Sequence, residues 1–176
     1  SSGGTAKKIW ETYRDQRIAN YGISLSPKGR ILAFSSVDPE AQEQHIYTVG
    51  VAGGQPTRLV DFQAREPVFS PNGAWIAFVE DSEMGRRGGD LCIVPAKGGR
   101  AKHVAEAKYA TSPIWSPQSD KIAFLEGGDV KIIAIDNDGA PVGEVVTLDA
   151  PEGCGGTGLL AGWAPGGRLA DRKSVV

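Results

Sequence analysis

Two histidines, His45 and His103, and two cysteines, Cys92 and Cys154, are the side chains in this 176-residue sequence best suited to hold a metal or to act as nucleophiles. The cysteines match no Cys-x-x-Cys or zinc-ligand spacing, and two cannot staple a chain of this size, so they leave the redox compartment open. No Gly-x-Ser-x-Gly elbow, His-Glu-x-x-His pair or Gly-x-x-x-x-Gly-Lys-Ser/Thr phosphate loop occurs. Gly153-Cys154-Gly155-Gly156-Thr157-Gly158 has the spacing of a dinucleotide-binding turn, but that turn needs a following helix. Here Leu159 to Trp163 and then Pro165 follow, which is a strand context, so the glycines read as a loop. Asp136-Asn137-Asp138-Gly139 hints at calcium ligands, yet a calcium loop requires further carboxylates downstream, and a hairpin turn is the better reading. With 19 basic and 21 acidic residues, a net charge of −2 and 40% hydrophobic residues, the chain is globular and offers little to a phosphate backbone. The expectation is no enzyme, no metal, no cofactor and no nucleic-acid partner.

The elements that would position any chemistry are set by a repeat. Ser26-Pro27-Lys28-Gly29, Ser70-Pro71-Asn72-Gly73, Ser116-Pro117-Gln118-Ser119 and a degenerate Ala164-Pro165-Gly166-Gly167 place their prolines 44, 46 and 48 residues apart. An apolar run follows each of the first three, ending at Phe34, Phe78 and Phe124. A second run comes later in each unit: His45 to Val49, Asp90 to Val94 and Val130 to Ile135. A glycine turn follows, at Gly53-Gly54, Gly98-Gly99 and Asp138-Gly139. Further short runs close the units at Thr57 to Val60, Ala101 to Val104 and Val145 to Leu148.

Ser-Pro-x-Gly fits a type I turn, in which proline presets φ, serine bonds back to the backbone and glycine closes the fourth position. The flanking runs are four to six residues of Ile, Val, Phe, Tyr and Trp, the length and chemistry of strands. With 24 Gly and 11 Pro, the chain is rich in turns, and no segment sustains a helical period. Four antiparallel strands in about 45 residues, repeated, describe an all-β chain of propeller blades. Three complete blades are expected over about 20–61, 62–105 and 106–149, with 5–12 and 159–170 contributing to incomplete ones. In this frame His45 and His103 fall at different repeat positions, which disfavours a site shared between them. Cys92 aligns with Tyr47 and Ile132 as a small core residue, and Trp75, Trp115 and Trp163 read as blade packing.

The recurrent strand, Ser-Pro-x-Gly, Ile-Ala-Phe, second strand and Gly-Gly order resembles the TolB-like propeller repeat, found in TolB and in the propellers of prolyl oligopeptidase relatives. The resemblance spans nearly the whole chain. The family's Asp at the third turn position is replaced by Lys28, Asn72, Gln118 and Gly166, and Ser119 stands where the turn wants glycine. The resemblance implies a non-enzymatic binding or scaffold propeller, or alternatively the substrate-gating propeller of a peptidase whose catalytic domain lies elsewhere. It leans toward a periplasmic location.

Gly3 to Trp10 align with Gly98 to Ala105, so the sequence starts within a blade's fourth strand and leaves an incomplete ring. Open stacks leave edges and apolar faces uncovered, so self-association, most simply as a dimer, is expected, with a fragment of a longer propeller as the alternative. Residues 171–176 break the strand pattern and resemble a non-native tail. No apolar run nears the ~20 residues of a membrane helix, and the N-terminus lacks a signal-peptide build, so no membrane insertion is expected. A protein or peptide partner would meet the longer loops opposite the tight turns, at 13–20, 37–44, 62–66, 80–89, 106–111 and 150–158. These carry Arg17, Arg65, Glu66, Arg86 and Tyr109, a mixed-charge rim with an aromatic anchor, and these five are the candidate binding residues.

Overall fold

The computed structural model describes residues 22–37, 43–81, 89–148, 162–164, 168–171 and 174–175. All of its regular elements are strands. The first sheet holds β1 (Ile23–Leu25), β2 (Ile31–Val37), β3 (Gln44–Gly50) and β4 (Thr57–Arg58). The second holds β5 (Ala64–Phe69), β6 (Trp75–Glu80), β7 (Leu91–Pro95) and β8 (Lys102–Ala105), and the third holds β9 (Thr111–Trp115), β10 (Lys121–Glu126), β11 (Asp129–Ile135) and β12 (Pro141–Leu148). Each is antiparallel with strands in sequence order, the meander of a propeller blade. The second-to-third connection of the third blade is a two-residue turn, Gly127-Gly128, both at positive φ.

A smaller sheet contains β13 (Gly162–Ala164), β14 (Arg168–Asp171) and β15 (Ser174–Val175). Asp171 continues β14 and pairs with Ser174, while Val175 pairs with Ala170, so the strand pattern runs past residue 170. A β-branched residue beside a strand edge gains backbone partners whatever the origin of its sequence. The expected strand over 5–12 and the 150–158 loop lie outside the described residues.

The serine turns use their hydroxyls as backbone acceptors. Ser26 Oγ accepts from Ile31 N at 3.0 Å, Ser70 Oγ from Trp75 N at 3.0 Å and Ser116 Oγ from Lys121 N at 3.0 Å. The closing bonds run from Gly29 N to Ser26 O, Gly73 N to Ser70 O and Ser119 N to Ser116 O at 2.7–2.9 Å. Gly29 and Gly73 take φ of 65° and 72°, and Ser119 adopts the same left-handed conformation at 62° without glycine's freedom.

The apolar cores sit between sheets. Ala33, Ile46, Val60, Ala64, Phe69, Ile76, Phe78, Cys92 and Val94 form one layer joining the first and second blades. A second layer, including Ala77, Val79, Leu91, Ile93, Val104, Trp115, Ile122, Phe124, Ile133 and Ile135, joins the second to the third. Period-two alternation along β6 and β7 sends successive side chains to opposite layers, which is why their sequences are almost wholly apolar. The first strands gather together, β1 against β5 and β5 against β9. On the outward sides, Ile23 and Leu25 of β1 and Val142, Val146 and Leu148 of β12 stay 40–63% exposed.

Candidate functional site

The end of the blades opposite the serine turns carries a second repeated device. Gly22, Glu66 and Ser112 occupy equivalent positions at the first strands and all take positive φ, at 114°, 57° and 53°. Near Glu66 the pairing of β5 with β6 shifts between Arg65 and Val68, and near Ser112 the pairing of β9 with β10 shifts between Ala123 and Leu125. Glu66 and Ser112 are non-glycine residues in a costly conformation, and hydrogen bonds to neighbouring blades hold them there. Glu66 N donates to Ser35 Oγ of the first blade at 3.2 Å, and the Glu66 carboxylate accepts from Ser112 N of the third. A single residue thus ties three blades together.

Arg65 corrects the expectation of a solvent-facing rim. It lies inside β5 and is only 6% exposed. Its guanidinium donates from Nε to Asp81 Oδ1 at 2.7 Å, from Nη1 to Glu66 Oε1, and from Nη2 to the Ala110 carbonyl at 3.3 Å. The planar fork fits three acceptors, one from β5 and two from the connections after β6 and β8, and a buried cation needs that many partners. Glu66, its side chain 17% exposed, is consumed in the same network. Of the five candidate binding residues, Tyr109 stands on the surface at 42% exposure, whereas Arg17 and Arg86 lie outside the described residues. The structure brings Arg65 and Glu66 together as inter-blade fasteners. The sequence signal for this role is the Glu-Pro and Ser-Pro dipeptides at 66–67 and 112–113, whose prolines are fully buried.

His45 is 3% exposed and satisfied, with Nδ1 3.1 Å from the Phe62 carbonyl and Nε2 3.2 Å from Glu43 Oε2. His103 has a different setting. It lies on β8 directly across from Cys92 on β7, and Nδ1 is 3.6 Å from the Cys92 sulfur. Its Nε2 is 3.3 Å from Glu80 Oε2, and Nδ1 is 3.4 Å from Asp90 Oδ2. Cys92 Sγ in turn lies 3.5 Å from the same Glu80 oxygen. Cys92 is fully buried, as expected of a small core residue, but it faces Phe78 as Tyr47 faces Phe34, so its counterpart in the third blade is Lys131, opposite Phe124, and not Ile132. Burial first, and the Glu80 carboxylate after it, push the thiol's pKa upward.

No protein-family model matches the chain. Among curated proteins, an uncharacterised peptidase of Bacillus subtilis, YuxL, is 32% identical over 81 residues, covering 44% of this chain and 12% of that protein. TolB from Acinetobacter baumannii superposes with a TM-score of 0.64 at 20% identity over 86% of this chain and 37% of its own. A TolB described as putative, from Agrobacterium tumefaciens, gives 0.55 at 25% identity over 73% and 48%. The propeller domain of the Trilobed protease from Pyrococcus furiosus gives 0.58 at 18% identity over 73% and 42%. The chain therefore spans less than half the length of each of these proteins. Its in-phase serine turns, four-strand sheets and inter-blade layers, together with these likenesses, show blades of a propeller whose fold resembles that of TolB.

Proposed function

We propose that the chain is a non-enzymatic propeller that binds a protein or peptide partner at the loop end of its blades. The likeness to TolB over 86% of the chain carries this reading. The chemistry of the turns supports it, because the Ser26, Ser70 and Ser116 hydroxyls each accept a backbone N–H five residues on and serve the fold. Tyr109 supplies an exposed aromatic at the loop end, the residue type that anchors protein interfaces. The exposed apolar outer faces, Ile23 with Leu25 and Val142 with Val146 and Leu148, favour a further blade or a second copy of the chain against them.

Pull-down with the wild-type chain and a Tyr109→Ala, Arg86→Ala double variant tests the loop end, with Lys28→Glu at the opposite end as control. Loss of captured partner in the double variant alone is expected, and equal capture by all three removes this end from the reading. Light scattering tests self-association: a dimer is expected, and a dilute, thermally stable monomer contradicts it.

A second reading is the gating propeller of a prolyl oligopeptidase-like peptidase, favoured by the 81-residue match to YuxL. Gene sequence beyond Gly167 decides it, since a Gly-x-Ser-x-Gly elbow downstream supports the peptidase and its absence supports the binding module.

A further inference from the structure

The β7–β8 hairpin contains a register shift. Leu91 pairs with Ala105, which would set Cys92 against Val104, but the pairing slips by one residue and Cys92 faces His103 instead. Val104 turns into the layer between the second and third blades, while His103 joins Cys92 on the opposite face. Glu80 lies two residues past Phe78, the partner of Cys92 on β6, and so projects to that same face. Bulges commonly re-aim side chains beside functional sites. This one assembles a thiol, an imidazole and a carboxylate, one from each of three adjacent strands, with ligand atoms all within 4.8 Å of one another.

We propose that Glu80, Cys92 and His103 form a binding site for a thiophilic divalent cation, of which zinc is the type, with Asp90 beside the open fourth position.

Tetrahedral zinc with bonds of about 2.3 Å to sulfur and about 2.0–2.1 Å to nitrogen and oxygen requires ligand pairs about 3.3–3.6 Å apart. Cys92 Sγ lies 3.5 Å from Glu80 Oε2, and the imidazole approaches the two through different nitrogens, Nδ1 3.6 Å from Cys92 Sγ and Nε2 3.3 Å from Glu80 Oε2, so holding one ion requires the ring to turn. The His103 side chain is 58% exposed, so the ring is free to turn one nitrogen toward both partners, and solvent reaches the site from that side. Mixed sulfur, nitrogen and oxygen donors select zinc or cobalt over calcium or magnesium, which prefer oxygen alone. The thiol is protonated in the metal-free chain, so forming the metal–sulfur bond breaks the S–H bond and releases that proton to solvent. The carboxylate of Asp90 accepts Ala107 N through Oδ1 at 2.9 Å, which fixes its other oxygen 3.4 Å from the imidazole. With Nε2 turned to the ion, that oxygen is placed to accept from Nδ1 in the manner of an outer-shell carboxylate.

Titration of the full chain with cobalt(II) after chelator treatment tests the site. One equivalent is expected to give a thiolate-to-cobalt charge-transfer band with tetrahedral visible bands, both abolished by one equivalent of zinc. His103→Ala and Glu80→Gln are each expected to weaken cobalt binding roughly tenfold or more. Cys92→Ala is expected to abolish the charge-transfer band, and Cys154→Ser to leave it unchanged. Absence of the band in the wild-type chain overturns the proposal, as does a band lost with Cys154→Ser or an affinity unaffected by His103→Ala. Should Cys92→Ala fail to fold, the His103 and Glu80 variants, both at solvent-accessible positions, decide the matter alone.

Discussion

Asn72 of one serine turn donates its backbone N–H to the side-chain oxygen of Ser119 in the next, at 3.0 Å, so the two turns are fastened across blades by the residue that departs from the repeat. Glycine at 119 would adopt the left-handed backbone freely but would lose that bond. The left-handed penalty is about 1 kcal/mol or a little more, and a neutral hydrogen bond contributes about 1 kcal/mol. Ser119→Gly is therefore expected to change stability by less than about 0.5 kcal/mol, the two effects offsetting. Ser119→Ala keeps the strain and loses the bond, and it should fall about 1 kcal/mol below the glycine variant in urea denaturation. Equal midpoints for the two variants would show that the turn does not strain Ser119.

Gly139 is a glycine for two reasons. Its φ is 75°, and an added Cβ would lie 2.6 Å from Trp75 Cη2 and 2.9 Å from Ile93 Cδ1 of the neighbouring blade. Lys102 rests above the same indole at 5.3 Å and donates to the Asp138 carbonyl, which limits the ring's retreat. Backbone strain and overpacking together predict a loss of about 2–4 kcal/mol for Gly139→Ala, read as a lowered denaturation midpoint.

Arg65→Ala removes a buried cation from between Asp81 and Glu66 and leaves both carboxylates short of partners. A loss of about 3–5 kcal/mol is expected. Arg65→Lys should recover only part of it, because an ammonium cannot span three acceptors in one plane. Tyr109→Ala, at an exposed position, should stay within about 0.5 kcal/mol of wild type. Thermal denaturation of the three variants separates the fastener from the surface residue.

The Lys131 ammonium, 2.6 Å from Glu126 Oε2, holds the Glu126 carboxyl below its ordinary range, and Lys108 N supports it at 2.8 Å. The folded pKa lies below the unfolded one, so the unfolded chain binds the proton first as pH falls. The contribution is complete above about pH 4.3 and disappears as pH drops through the folded value. Glu126→Gln is expected to cost less than about 1 kcal/mol at neutral pH and to flatten the acid limb of the stability profile. An unchanged acid limb would mean that the pair is broken in solution.

The strands and their order were legible because apolar alternation and serine-proline turns speak through neighbours a few residues apart. Arg65 and Glu66 fall in sequence between the fourth strand of one blade and the first strand of the next, which reads as a connecting loop. Their burial depends on Asp81, Ala110 and Ser112, partners that reach them only once the blades are side by side. Cys92 and His103 were legible as residues but not as neighbours. Strand periodicity predicts Val104 opposite the cysteine, and only the one-residue slip in β8 puts the imidazole there. Ser119 showed as a departure from glycine, yet nothing local announced that its hydroxyl serves a different turn.

Because each oily layer belongs jointly to two adjoining sheets, no sheet owns a private interior. Duplicating or deleting one stretch of about 45 residues needs only a newcomer that offers the same pair of faces. The segment a gene can copy thereby coincides with the segment the architecture can accept, and such chains are free to lengthen or shorten over generations by whole increments.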